Sequence, residues 1–329
     1  MKTRVVIGVL LTLLLAITSA VFNITPVTAQ FPVHNVTQNL HYNTLHEAIE
    51  DPNISPGDTI HVDQGYDVSE HVWIEVASLR IIGQDTDTTI IRSDSPYINA
   101  IQVTADNVSI CGFTIRDASG NGGRGIAIHG QNVEIWHNKI TNCRWGLAIY
   151  ARNNIIACNE IFANTERGIF VGSGANIIRG NDIHDNPTGI YLYSGSDNEI
   201  YYNNFVGNTY HVGYDIPDLQ IWDDGGTTYP LQKGNYWFPN QSPDHGPQIN
   251  GNSQRDNHPF VNSVTFNEAD MNWDQRVNVV EEAIFIRAYL EGYSWCILWW
   301  DPRADLDHDD EIDYDDDRIL GRNWGYKDP

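Results

Sequence analysis

The sequence predicts an all-β parallel β-helix, a solenoid of about 22 residues per coil, and three observations in its middle third carry that prediction. Ile135, Ile156, Ile178 and Ile200 recur at spacings of 21, 22 and 22. Asn138, Asn159, Asn181 and Asn203 keep the same period, as do Ile140, Ile161, Ile183 and Phe205. Gly146-Leu147, Gly168-Ile169 and Gly189-Ile190 close each unit. The period is too short for a two-helix repeat, and the Leu framework of a leucine-rich repeat is missing. Short strands that pair with their equivalents in the next coil about 4.8 Å away satisfy it. Inward aliphatic residues then stack into a continuous core. Recurrent Asn suits the corners, where its side chain bonds the backbone and tolerates left-handed conformations. The glycines are expected to supply a turn before the last strand of each coil.

Taken from the start, residues 1–29 read as a secretory signal peptide. Lys2 and Arg4 precede an apolar run from Val5 to about Ala20, and Val27-Thr28-Ala29 offers a small-residue cleavage site. A retained anchor is the alternative reading, and no other stretch is long enough to span a membrane. Export is therefore expected, to the cell surface or beyond, with no membrane span after removal of the signal. Residues 30–265 are assigned to the β-helix. An early coil with Ile110, Ile115 and Gly125-Ile126 joins the repeat once a Gly-rich insertion, Ser119 to Gly123, is allowed. Four cysteines at 111, 143, 158 and 296 have no metal-finger rhythm and are read as mostly free, buried thiols.

Outside the repeat, several segments resemble a known family. Tyr42-Asn-Thr-Leu-His-Glu-Ala-Ile49, Pro56-Gly-Asp-Thr-Ile-His-Val62, Gly65-Tyr66 and Leu79-Arg-Ile-Ile-Gly83 are similar to the N-terminal cap and first coils of NosD-type, pectinesterase-like right-handed β-helix proteins. Thr89-Ile-Ile91 and Asn107-Val-Ser-Ile-Cys-Gly-Phe-Thr-Ile115 continue the pattern, and Trp222-Asp-Asp-Gly225, Gly234-Asn-Tyr-Trp237 and Arg255-Asp-Asn-His-Pro-Phe260 resemble its end. The resemblance implies a right-handed parallel β-helix. It leaves the activity open, since such folds serve lyases, hydrolases, esterases and inert surface proteins. Its copper-binding label implies clustered His, Met or Cys. Met1 and Met271 are the only methionines, and His137 beside Cys158 on the next coil is the one suggestive pair.

Residues 266–329 form a second unit. Asp270, Asn272, Asp274, Asn278 and Glu281 put oxygen ligands at positions 1, 3, 5, 9 and 12 of a loop, with the Arg276 carbonyl at position 7. Asp305, Asp307, Asp309, Asp313 and Asp316 repeat the spacing, with Glu311 at position 7. Alternate oxygens at this spacing wrap a hard cation, so two Ca2+ ions are expected. An apolar-periodic helix follows each loop. Two loop–helix halves of this kind resemble a type I dockerin, which implies a calcium-dependent cohesin partner and makes Arg287 and Arg322, equivalent in the two halves, candidates for contacting it. Gln275 and Asp310 stand where Gly usually makes the loop's sharp turn, and Glu281 stands where a dockerin usually has Asp. A module folded back on the last coil as an edge cap is the rival arrangement.

The formal charge of −24 excludes nucleic acid and anionic membrane surfaces as natural partners. In the repeat register, Trp145, Tyr150, Phe170, Tyr191 and Tyr193 line outward columns beside Arg124 and Arg167, as a saccharide-binding surface would. Packing beneath a loop is the competing reading. Glu160 and Asp182 share an outward column on neighbouring coils and are the weak catalytic candidates, with His184 and Asp185 nearby. Lys139 and Asn204 flank them, which favours a solvated charged strip. The expectation is an exported β-helix that binds or processes polysaccharide and is tethered through the dockerin-like module. The alternatives are a polysaccharide lyase or glycoside hydrolase, a structural surface-layer or adhesin protein, and a copper-binding NosD-like protein.

Overall fold

A computed structural model describes residues 31–215, 220–222, 235–238, 248–249 and 254–255. The signal segment, both calcium loops, Arg287 and Arg322 lie outside the described residues. Within them the chain winds as a parallel β-solenoid of about seven turns. Three sheets of nine, eight and seven strands form its walls, and successive strands of a coil go to the first, second and third sheet in turn. Equivalent residues pair directly: Ile135 with Ile156, Ile156 with Ile178, and Ile178 with Ile200. Each of these is fully buried, as are Ile140, Ile161, Ile183 and Phe205 in the second sheet.

The corners differ from the expectation in one respect. The recurrent asparagines are not the left-handed residues; the residue before each one is. His137, Cys158, Gly180 and Tyr202 have φ of 51, 53, 66 and 57°, and they precede Asn138, Asn159, Asn181 and Asn203. A left-handed residue costs a non-glycine roughly 1–2 kcal/mol. It turns the chain so that the following Asn points inward, and that Asn then holds the corner.

Three ladders result. The Asn138 backbone N–H donates to Asn159 Oδ1 at 3.1 Å, Asn159 to Asn181 at 3.0 Å, Asn181 to Asn203 at 3.0 Å and Asn203 to Asn235 at 3.0 Å. Asn154, Asn176, Asn198 and Gln220 make a second ladder. Asn164, Asn186 and Asn208 make a third. The amide nitrogens also donate to main-chain carbonyls, apart from that of Asn154, which has no partner among the described residues: Asn159 Nδ2 reaches Ile135 O and Ala157 O, both at 2.9 Å. One side chain thereby ties its own coil to the coils before and after it.

The glycines also play a different part from the one expected. Gly146 and Gly168 lie inside the strands Trp145–Ile149 and Arg167–Val171, not at turns. A Cβ on Gly146 would sit 2.8 Å from Asn164 Nδ2 and 3.0 Å from Ile161 Cγ2. The ladder amide occupies the space a side chain would need, so Gly146 and Asn164, the Asn four residues before the next such Gly, are two halves of one packing solution.

At the N-terminal end the solenoid is closed. A short helix α1 (Leu45–Glu50) is capped by Thr44, whose hydroxyl accepts the Glu47 N–H. Its buried residues Leu45, Ala48 and Ile49 cover the first coil. The free N–H groups of Leu45 and His46 go to the Tyr66 hydroxyl and the Glu70 carboxylate. Strands Val33–Asn35 and Leu40–Tyr42 run antiparallel across the edge of the first sheet, which denies that edge to strand addition. Among the described residues no helix is long and apolar enough to cross a membrane. Cys111 and Cys143 are free, buried thiols, as expected.

Removing Asn181 by substitution with Ala orphans the Asn159 N–H and the Ile156 and Arg179 carbonyls together. It should cost about 3 kcal/mol or more, at roughly 1–3 kcal/mol per stranded buried group. Replacing the exposed left-handed Asn153 by Ala should cost only about 1 kcal/mol. Urea unfolding of both variants checks the ratio.

Candidate functional site

The outer face of the third sheet carries the candidate binding surface. Its strands place Arg124, Trp145, Arg167, Thr188 and Tyr210 in one column. The next outward column runs Trp73, Gln102, Ala127, Ala148, Phe170, Tyr191 and Gly213. A third column follows one residue beyond the inward Ile149, Val171 and Leu192, and it contains Tyr150, Gly172 and Tyr193. All five aromatic residues picked from the sequence therefore lie on one surface.

Small residues in these columns make room for the rings. A Cβ on Gly172 would meet Phe170 Cε1 at 3.0 Å and Tyr150 Cδ1 at 3.5 Å, and one on Gly213 would meet Tyr191 Cδ2 at 2.7 Å. Into the space thus left, Trp145 and Phe170 stack at 4.6 Å and 12°. Phe170 continues to Tyr191 at 6.3 Å and 8°, and to Tyr193 at 5.5 Å. Tyr150 stacks on His129 at 4.8 Å.

Guanidinium groups interleave with the rings. Arg167 lies 4.6 Å over Trp145 and 4.0 Å over Tyr191, while Arg124 lies 4.7 Å over Trp145. Each such contact contributes about 0.5–1 kcal/mol at a surface. Arg144 and Arg167 share Glu166, at 2.7 and 3.2 Å. The Tyr191 hydroxyl bonds Asp215, which raises its pKa. Phe170 is 5% exposed and covered on its sides, so it is the keystone of the stack. The open rings of this surface are Tyr193 at 50% and Tyr210 at 67%; Tyr214, 42% exposed, is in register with the inward Leu192. The last two escaped sequence reasoning because they fall where the repeat motif has already faded. Trp145 Nε1 and Arg124 Nε are enclosed donors with no acceptor among the described residues, the kind of group that an ordered water or a bound hydroxyl satisfies.

On the second sheet, the Lys139, Glu160, Asp182 and Asn204 column is as expected. Lys139 pairs with Asp87. The organising group is His184, which stacks on Phe162 at 5.0 Å. His184 Nε2 is 3.3 Å from Glu160 Oε1, and its Nδ1 is 2.9 Å from Asp185 Oδ2. The Glu160 bond, with help from Asp185 and Asp182 and against burial, raises the His184 pKa to about 9. The same bond holds Glu160 below the usual carboxylate range. Asp182 moves the other way, first through loss of hydration among its neighbours and then through the charges of Glu160 and Asp185. It keeps a solvent-exposed edge, which tempers that loss. The cluster at neutral pH is an imidazolium held between carboxylates.

Comparison with protein families matches residues 34–241 to the family described as periplasmic copper-binding protein (NosD). The chain belongs to the NosD family. No curated protein and no solved structure gives a significant match. The family's described location agrees with an exported protein. Its copper label meets a mixed response in the donor set. His137 and Cys158 do occupy equivalent corners of adjacent coils. Burial, however, pushes the Cys158 thiol far up, away from the thiolate that copper binds. At the N-terminal end of the first sheet, His34 and His41 bring two imidazole nitrogens together in a hydrogen bond between the rings, and among the described residues no metal-holding group forms there.

The His184 cluster gives a pH signature. Since its folded pKa is raised, the stabilisation from His184 is complete below the ordinary value near 6.5 and is lost as pH rises through about 9. The Tm of the native chain should therefore fall more between about pH 7 and pH 10 than that of His184→Gln. Calorimetry at the two pH values measures the difference.

Proposed function

We propose that this NosD-family protein is an exported β-helix scaffold that binds polysaccharide on the outer face of the third sheet without cleaving it. The observation that carries the reading is the interleaved array of Trp145, Arg167, Tyr191 and Phe170, flanked by the open rings of Tyr193 and Tyr210. Ring faces stack on the apolar faces of sugars, and guanidinium groups donate to hydroxyls or acidic substituents. The array extends along successive coils, so it suits an extended chain better than a single small molecule.

The dockerin-like module completes the proposal. Its duplicated loop spacing supports two Ca2+ ions and a tether to a cohesin-like partner through Arg287 and Arg322, with an intramolecular cap as the rival. A calcium-dependent partner recovered on the immobilised module and released by a chelator supports the tether; equal recovery with and without calcium contradicts it.

A second reading rests on the opposed displacements of Glu160 and Asp182. Environments that push two carboxyls apart are those that divide general acid from base, and here Asp182 would be the acid. An increase in reducing ends on any bound glycan, abolished by Asp182→Asn, would favour it.

Glycan-array binding followed by affinity electrophoresis decides the main reading. Tyr193→Ala combined with Tyr210→Ala should weaken binding about tenfold or more, near 1.4 kcal/mol, with Tm unchanged because both rings are exposed. Undiminished binding by that variant would move the surface elsewhere.

A further inference from the structure

Trp145 stands in its column between Arg124 on the coil before and Arg167 on the coil after. Both guanidinium groups lie over its ring, at 4.7 and 4.6 Å, and that of Arg144, its neighbour in the chain, lies 5.3 Å from the ring centroid. Phe170 stacks on the same indole. With its surroundings taken in this way, Trp145 is a pedestal, and what the group presents outward is guanidinium. A guanidinium is weakly hydrated and rests readily on aromatic rings, so it gives up little on meeting an anion.

Two of these arginines are set by the segment that interrupts the repeat. The Gly-rich insertion from Ser119 to Gly123 supplies Asn121 Oδ1, which accepts from Arg144 Nη1 at 2.8 Å. It also supplies Gly122 O, which accepts from Arg124 Nη1 at 2.8 Å. Asn99 Oδ1 takes a longer bond from Arg124 Nη1, at 3.4 Å. All three acceptors are uncharged, so they orient the guanidinium groups without cancelling them. Glu166 is the carboxylate of the group, 2.7 Å from Arg144 Nε and 3.2 Å from Arg167 Nη2. Even with Asp215, bonded to the Tyr191 hydroxyl on the next coil, counted against the arginines, positive charge is left over. Elsewhere on the described surface the balance is even: Arg92 and Arg116 face Asp67 and Asp117, and Lys139 faces Asp87. The acidic residues of the chain concentrate in residues 266–329. Screening over about 8 Å at physiological ionic strength lets a local surplus act independently of distant charge.

We propose that the ligand of this face is an acidic polysaccharide, and that Arg124, Arg144 and Arg167 hold a carboxylate or sulfate substituent of one sugar unit while Tyr193 and Tyr210 take neighbouring sugar faces. The inference rests on the glycan-binding reading above and narrows it from polysaccharide in general to charged chains. The fork of a guanidinium meets the paired oxygens of such an anion with two parallel hydrogen bonds. Glu166 is the internal competitor, and the entering anion takes over the N–H groups of Arg144 and Arg167 that Glu166 holds in the free protein.

Titration calorimetry of the full chain compares polymers that share a backbone and differ in charge: polygalacturonate with its methyl-esterified form, and dextran sulfate with dextran. The charged member of a pair should bind at least tenfold tighter and lose that advantage as salt is raised. Which pair shows the difference tells carboxylate from sulfate. Arg144→Gln should weaken binding of the charged polymer about tenfold, the worth of a hydrogen bond to a charged group, and leave the uncharged one unaffected. Arg144→Lys keeps the charge but loses the fork, and should restore part of the affinity. Glu166→Gln should tighten binding of the charged polymer severalfold, a gain that damage to the fold does not produce. Equal binding of charged and uncharged members would overturn the proposal and leave the broader glycan reading standing. Binding of no polymer would overturn both. Tighter binding of single-stranded DNA than of either charged polymer would also overturn it, in favour of a nucleic-acid ligand.

Discussion

The amide oxygen of Asn159 accepts the backbone N–H of Asn138, while its amide nitrogen donates to Ile135 O of the coil before and to Asn181 Oδ1 of the coil after. The arrangement repeats at Asn181 and Asn203, and twice more around each coil. It puts a polar group with four bonding sites into a largely apolar interior, which is tolerable only when nearly all those bonds are made; the Asn154 amide nitrogen is the exception among the described ladder residues. Strand pairing alone tolerates a register slip, because adjacent coils carry similar aliphatic residues. The ladder does not, since a slip of one residue strands several buried amides at once.

From that constraint the outer faces follow. With register fixed, Arg124, Trp145 and Arg167 must stand above one another about 4.8 Å apart, close enough for guanidinium and indole to interleave. The same register sets Glu160 beside Asp182, and His184 two residues further on, where it bridges to Glu160. The inward glycines belong to the same constraint. Gly146 and Gly168 yield their volume to Asn164 and Asn186, so the Gly-apolar pairs and the recurrent Asn in the sequence are one signal seen twice.

Much of this was legible because the period is the structure. The columns holding Trp145, Tyr150, Phe170, Tyr191 and Tyr193 follow from counting alone, as does the pairing of Glu160 with Asp182. What counting could not supply was direction and size. Most left-handed positions fall on Asn, Asp or Gly, but in the corner before the second sheet they include residues as dissimilar as His137, Cys158 and Tyr202, which no residue preference marks. A row of histidines on the first sheet was illegible for a different reason. His34, His41 and His61 sit on strands that pair antiparallel, outside the repeat, and only the tertiary register brings them together. His184 was visible as a neighbour of the carboxylates, but its role as the charge between them depends on ring orientation, which no spacing encodes.

The central claim is that buried amide ladders fix the coil register on which every outer-face site depends. Hydrogen exchange of the backbone amides in the chain and in Asn181→Ala measures this directly. The account predicts that the amides of Asn138, Asn159, Asn181 and Asn203 exchange among the slowest in the molecule, and that the substitution accelerates exchange in the coils on both sides of Asn181. Fast exchange at these four amides in the native chain, or a change confined to residue 181 in the variant, would contradict it.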